Sequence, residues 1–337
     1  MILAVRNLPQ FTLGALLFLC LVCSSMIAHA AQPLQKIVLV IAGFNEHRSA
    51  IFVAKDMRFF EEQGLDAQIV QVRSGQLAVS ALAANEAQFY AASATGANIG
   101  AMAAGLDLAF IAGLVNKLDG DFVVSRKVTQ PHDLKGKLLG VQSIGGGVWT
   151  FAMLALDHWG LIPERDKIQI RIVGDQAVLT QALISGTVDA TYLGHAFSKV
   201  AQRSGFHVLA DFAKLEIPYQ NIGIIARKSF LDRSPDIAER TLRALSNAVV
   251  YFQDPSNKSA VTAIMMKWLR LPQREDAIAG YEAMRPLYSH RIAPTASGIR
   301  NTLRILSRAD PKFNALKAED LIDDRIIRKL DKDGIFK

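Results

Sequence analysis

The sequence predicts an α/β protein of two lobes, each a mostly parallel sheet flanked by helices. Three observations carry this. Short β-branched runs alternate with stretches of helical period, which is the pattern of a parallel sheet covered by helices. The alternation restarts midway, and Ala81-Leu82-Ala83-Ala84-Asn85-Glu86-Ala87-Gln88 aligns with Ala182-Leu183-Ile184-Ser185-Gly186-Thr187-Val188-Asp189. Finally, the chain has 337 residues, more than one core usually accommodates.

In order, Lys36 to Ala42 (KIVLVIA) reads as a buried strand ended by Gly43. Ala50 to Glu62 reads as one amphipathic helix through Ile51, Phe52, Val53, Met57 and Phe60, with Gly64 as its C′ glycine. Leu65 to Val72 is a second strand, Gln76 to Ala84 a second helix after Ser74-Gly75, and Ala87–Ala92 and Leu108–Leu114 are further strands. After the polar entry Asp133 to Lys137 the pattern repeats. Leu138 to Val141 is a strand, Val148 to Trp159 a helix closed by Gly160, Ile168 to Val173 a strand and Gln176 to Ile184 a helix. Strands follow at Asp189 to Leu193, Val208 to Asp211 and Gly223 to Arg227. A long helix starts at Ser234-Pro235, with Ser234 as N-cap and Pro235 at N1. Asn257 to Leu269 and Gln273 to Met284 are helical, and this C-terminal part is expected to pack back on the first lobe.

The first thirty residues read as a leader rather than as fold. Arg6 precedes the apolar run Leu13 to Val22, and Ala28-His29-Ala30 has the small-x-small pattern of a cleavage site. Cleavage after Ala30 and export are expected, and the run is short for a membrane span. Both cysteines, Cys20 and Cys23, lie in this leader, so a mature chain has no disulfide, thiolate nucleophile or zinc–thiolate site. The formal net charge is +7, and Arg6 is the sole charge that removal of the leader takes away. The basic residues are scattered, without the clustering of a nucleic-acid face.

The run GFNEHRSAIFVAKDMRFFEEQGLDAQIVQVRSG, followed by ALAANEAQFYAAS, DLKGKLLGVQSIGGG and ALISGTVDATYLG, resembles the nitrate/sulfonate/taurine class of periplasmic binding proteins, related to the thiamine-precursor-binding proteins. The resemblance covers roughly residues 34–270. It implies the two-lobed periplasmic-binding-protein fold of type II, with residues 31–122 and 219–337 in the first lobe and 123–218 in the second. Crossovers are expected near Asp121–Ser125 and Ile217–Ile224. It further implies an extracytoplasmic, monomeric component of an ABC importer, which captures a small organic or anionic solute of sulfonate, carboxylate, nitrate or pyrimidine type in the cleft between the lobes, for a membrane permease and without cofactor or metal. A ligand-sensing protein for a membrane receptor, or a biosynthetic enzyme of the same fold, are the alternative readings.

In doubly wound sheets ligands sit beyond the carboxyl ends of strands, beside helix N-termini that favour anions. Four regions occupy that place. In the first, Asn45 and His47 are the expected contacts, and Arg48 is either attractive to an anion or a solvated loop charge. In the second, Ser74 is a candidate that also reads as a plain N-cap, and Ser93 and Thr95 share the ambiguity. The third is Gln142 to Thr150, where Ser143 and Gly146 offer close backbone approach and Trp149 either lines the cleft or packs in the core. The fourth supplies Asp175, Gln176, Tyr192 and His195. The glycines Gly145-Gly146-Gly147 lack the Gly-Lys-Ser/Thr ending of a P-loop, and no H-x-H, H-E-x-x-H or G-x-S-x-G motif is present. Reversible binding is expected, not catalysis.

Overall fold

The computed structural model describes residues 33–336 except Phe44 and Glu216, so the expected leader with Cys20 and Cys23 lies outside the described residues. Ten strands form two sheets. They are β1 (Gln35–Ala42), β2 (Leu65–Val72), β3 (Phe89–Ala92), β4 (Leu108–Lys117), β5 (Asp121–Val124), β6 (Leu138–Val141), β7 (Gln169–Ile172), β8 (Ala190–Leu193), β9 (His207–Asp211) and β10 (Pro218–Arg227). The first sheet has the order β2-β1-β3-β10-β4 and the second β7-β6-β8-β5-β9.

The orders are equivalent. In each sheet the fourth strand runs antiparallel to its neighbours, β10 against β3 and β4, and β5 against β8 and β9. Each of these strands enters its sheet from the other lobe. The internal match in the sequence is therefore structural. Helices Gly75–Ala83 and Gln176–Ile184 correspond residue for residue, as do β3 and β8. Even the caps agree: Ser74 Oγ accepts from Leu77 N at 3.4 Å, and Asp175 Oδ1 from Val178 N at 3.2 Å.

Helices cover both faces of the first sheet, so β3 and all but the last two residues of β4 are buried and read as unbroken apolar runs rather than alternating ones. The edge beside β4 is covered by C-terminal segments, through bridges from Phe110 to Ile322 and from Val115 to Tyr288. Helix Pro235–Gln253 packs on Ser49–Asp56 of the first lobe, as expected. Helix Arg274–Met284 instead reaches the second lobe and packs on His195–Arg203, where Arg203 Nη2 bonds the buried Asp276 carboxylate at 2.7 Å.

Three details differ from expectation. The helix expected over Ala50–Glu62 is broken into Ser49–Asp56 and Phe59–Glu62 by Arg58 at φ 64°. A left-handed non-glycine residue costs about 1–2 kcal/mol, which the complete burial of Phe60 offsets. Asp121–Val124 is a strand, and the chain changes lobe just before it at Leu118–Gly120, and again between β9 and β10. Ser234 stands at the N-cap with Pro235 after it, but its hydroxyl makes no cap hydrogen bond.

Candidate functional site

A cavity of about 40 Å³ lies between the lobes. From the first lobe it is lined by Ala42, Asn45, Arg48, Gly75, Tyr90, Ser93, Thr95 and Asn221. Gln142, Ser143, Gly146, Gly147, Val148, Phe151 and Tyr192 line it from the second. The helices starting at Gly75, Gly96 and Gly147 point their N-termini toward it, as the strand-end rule requires.

The loop after β1 supplies the charge. Gly43 turns the chain at φ 87°, where a Cβ would press on Gln142 of the facing lobe at 3.0 Å. The tight turn Glu46–Arg48 follows, wholly buried. Tyr288 pins it: its hydroxyl donates toward His47 O at 3.0 Å and accepts from Ala50 N at 3.0 Å. Arg48 is thereby held 5% exposed. Its Nη1 donates to Asn45 Oδ1 at 2.7 Å, Nε has no partner, and no carboxylate pairs with it among the described residues. Burial lowers its pKa, while Tyr90, Tyr192 and Tyr288 act in the opposite direction. A guanidinium keeps its proton through such shifts, so the cavity wall holds a buried cation without a counter-charge.

The remaining wall is polar and aromatic. Thr95 caps its helix through Asn98 N, and Asn98 Nδ2 ties Ser93 O at 2.7 Å. Tyr192 is completely buried, packs beside Phe151 and Phe212, and has a hydroxyl without a hydrogen-bond partner among the described residues. The rim is closed by bonds between lobes: Ala97 N to Gly145 O at 3.3 Å, Gln76 Nε2 to Ile144 O at 3.4 Å and Gln142 Nε2 to Arg73 O at 3.4 Å.

Of the residues expected from the sequence, Asn45, Ser93, Thr95, Ser143, Gly146 and Tyr192 line the cavity. The other six lie elsewhere. His47 turns inward, with Nε2 2.7 Å from Asp119 Oδ1. Ser74 and Asp175 cap their helices. Trp149 faces a separate hollow with Met153, Leu156 and Ile305, because it lies on the side of its helix opposite the cleft. Gln176 is spent on the backbone, its Oε1 accepting from Gly194 N at 2.9 Å. His195 points at the crossover, its Nε2 3.3 Å from Gly120 N and its Nδ1 3.5 Å from Asp121 Oδ1. Tyr90, Gln142, Phe151 and Asn221 were not singled out in the sequence; Tyr90 falls in an expected strand and Phe151 in an expected helix, and both are buried.

The crossover Leu118–Gly120 is the electrostatic centre behind the cavity. Asp119 is fully buried and accepts from Asn221 Nδ2 at 2.5 Å as well as facing His47. Gly120 has φ 87°, and a Cβ there would meet the Tyr192 ring at 2.6 Å, so no larger residue fits. Asp121 and Asp211 are cross-strand partners, a like-charge pairing that is unfavourable unless balanced. With His195 they bring donor atoms within 4.8 Å of one another, an arrangement a divalent cation accepts and a proton on His195 balances equally.

Burial opposes the charge on His195, yet the hydrogen bond and charge of Asp121, with Glu46 and Asp119 beyond, push its pKa up to about 9. The Gly120 amide suits the neutral ring instead, but at 3.3 Å it is a long contact that the carboxylates outweigh. A pKa raised on folding contributes stability that is fully present below the unfolded value, about 6.5. That stability is lost as pH rises through about 9. Its size is about 3 kcal/mol by linkage, at about 1.36 kcal/mol per pKa unit. The unaltered protein is expected to lose Tm between pH 7 and 10, and His195→Gln is expected to flatten that fall. Identical pH profiles would contradict the assignment.

Residues 45–257 match the family described as NMT1/THI5 like. YtlA of Bacillus subtilis (strain 168) is 27% identical over 221 residues, which is 64% of this chain and 65% of that protein's length. Among solved structures, the periplasmic aliphatic sulphonate binding protein SsuA of Escherichia coli superposes with TM-score 0.68 at 19% identity, covering 87% of this chain and 99% of that one. The periplasmic nitrate-binding protein NrtA of Synechocystis PCC 6803 gives 0.71 at 14% identity, covering 89% of each. The desulfurization enzyme DSZB shares the fold at TM-score 0.60 and 14% identity, covering 89% and 99%.

Proposed function

The chain belongs to the NMT1/THI5-like family, and from that membership we propose that it is the solute-binding component of an ABC-type importer, specific for a small organic or inorganic anion. The observation that carries this is Arg48, a buried guanidinium on the cavity wall without a carboxylate partner among the described residues. A buried charge is costly unless paired, so the ligand supplies the pairing group. Sulfonate, carboxylate and nitrate all present the flat or forked oxygen edge that a guanidinium bonds in parallel.

The other walls agree with such a ligand. Ser93, Thr95 and Ser143 offer hydroxyls, helix N-termini at Gly75 and Gly147 offer amides, and Tyr90, Phe151 and Tyr192 offer an apolar flank. SsuA and NrtA, which are periplasmic sulphonate and nitrate binding proteins, support the ligand class and the periplasmic location. Binding between lobes shifts the population toward the closed form, and a membrane permease reads that form. The closed cavity takes only a few atoms, so longer solutes bind with the rim bonds parted.

Thermal-shift screening of the chain from residue 31 against alkyl sulfonates, carboxylates and nitrate tests this. One class is expected to stabilise the native state, by about 2.7 kcal/mol at a hundredfold excess over Kd, with the compound recovered unchanged. Consumption of the compound, or no response to any anion, would sink the reading.

A further inference from the structure

Glu46 begins the turn that carries Arg48, yet it serves the other lobe. It has no exposed surface, and its Oε1 accepts from Ala196 N at 3.2 Å. Ala196 is the second residue of the nine-residue helix His195–Arg203, whose N-cap is Gly194. The carboxylate therefore lies where an anion is favoured by free amides and the helix dipole. Its second oxygen has no partner among the described residues. Room for it comes from Gly194, where a Cβ would collide with both Glu46 oxygens.

The internal repeat gives this placement its meaning. β3 and β8 correspond, so Ser93 and Thr95 after β3 match Gly194 and Ala196 after β8. In the first lobe that position opens on the cavity. In the second lobe the same position is filled, from across the cleft, by Glu46. We propose that Glu46 is a built-in anion that occupies the second of two pseudo-equivalent anion positions and so restricts the ligand to one anionic group, the group facing Arg48. This rests on the reading of Arg48 as the anion contact. A dicarboxylate or sulfocarboxylate presents its second charge to a site already holding a carboxylate. Its field reaches the cavity, because Glu46 is among the charges that hold the Tyr192 hydroxyl above its ordinary pKa, after burial and Asp119.

The test has two arms. The first compares Arg48→Met with the double variant Arg48→Met/Glu46→Ala, each titrated with sodium formate against sodium chloride at equal ionic strength. The vacated position is expected to bind formate, giving a saturable rise in Tm of several degrees in the double variant and none in the single one. The second arm measures, by calorimetry, the preference for a monocarboxylate over the dicarboxylate of equal chain length. Glu46→Gln, which keeps the side chain's shape and an accepting oxygen, is expected to narrow that preference at least tenfold. Equal formate responses, or an unchanged preference in Glu46→Gln, overturn the proposal. Should the unaltered protein bind no anion, the functional reading fails, while the formate arm still decides whether Glu46 stands in an anion position.

Discussion

Arg48→Met is expected to abolish anion binding while leaving the ligand-free protein as stable as before, or more so. The two halves of this result have one cause. In the empty cavity the guanidinium is desolvated and, among the described residues, bonds the side chain of Asn45 alone, at 2.7 Å, so replacing it with an apolar side chain of similar length removes a cost. In the bound state the same group makes charge-assisted bonds, and truncating one partner of a buried pair costs roughly 2–5 kcal/mol. The expected loss in affinity is therefore at least about thirtyfold, since about 1.4 kcal/mol is tenfold. Arg48→Lys should recover part of it, because an ammonium keeps the charge but loses the planar fork. Calorimetric titration gives the affinity and denaturant unfolding the stability. A variant that loses stability and binding together would assign Arg48 to the scaffold rather than to the ligand.

Asp119→Ala is expected to produce the opposite pattern, a large loss of stability. Asp119 has no exposure and joins His47 from the first loop to Asn221 on β10, at the point where the chain leaves the first lobe. Removing it strands a buried imidazole nitrogen and leaves Asn221 Nδ2 with Lys117 O, at 3.0 Å, as its remaining partner among the described residues, and breaking a buried pair from one side costs about 3–5 kcal/mol. Asp119→Asn, which retains one accepting oxygen, should cost less than half of that. Both are read from the midpoint of urea unfolding at constant slope. A loss below about 1 kcal/mol would mean that water or the chain readily re-pairs these groups.

Nine of the ten strands and most helices were legible in the sequence because their signals are local. KIVLVIA is β-branched and continuous, Gly64 and Gly160 close helices at positive φ, and Ser74 and Asp175 cap theirs. β5 was not legible: four residues, DFVV, become a strand only by pairing with β8 and β9, and no local period announces that. Positions on strand-end loops were equally readable, which is why Asn45, Ser93, Thr95, Ser143 and Gly146 fall on the cavity. Direction was not. Whether Arg48 is a solvated loop charge or a buried cation depends on Tyr288, 241 residues from the carbonyl it binds at His47. The inward turn of His47 likewise depends on Asp119, and the outward turn of Trp149 on how its helix rolls against the sheet.

The exchange of strands between the sheets has a consequence for the order in which the chain acquires structure during synthesis. All strands of the second sheet lie in one continuous stretch, β5 to β9, whereas the first sheet lacks its fourth strand until β10 has been made. The usual rule that the N-terminal domain folds first is thus reversed: the stretch made earlier must wait for a segment about a hundred residues downstream. A nascent chain leaving the ribosome holds its first lobe unfinished through most of translation. Until β10 is made, the apolar faces of that lobe stay available to chaperones, so its completion is a late and post-β9 event.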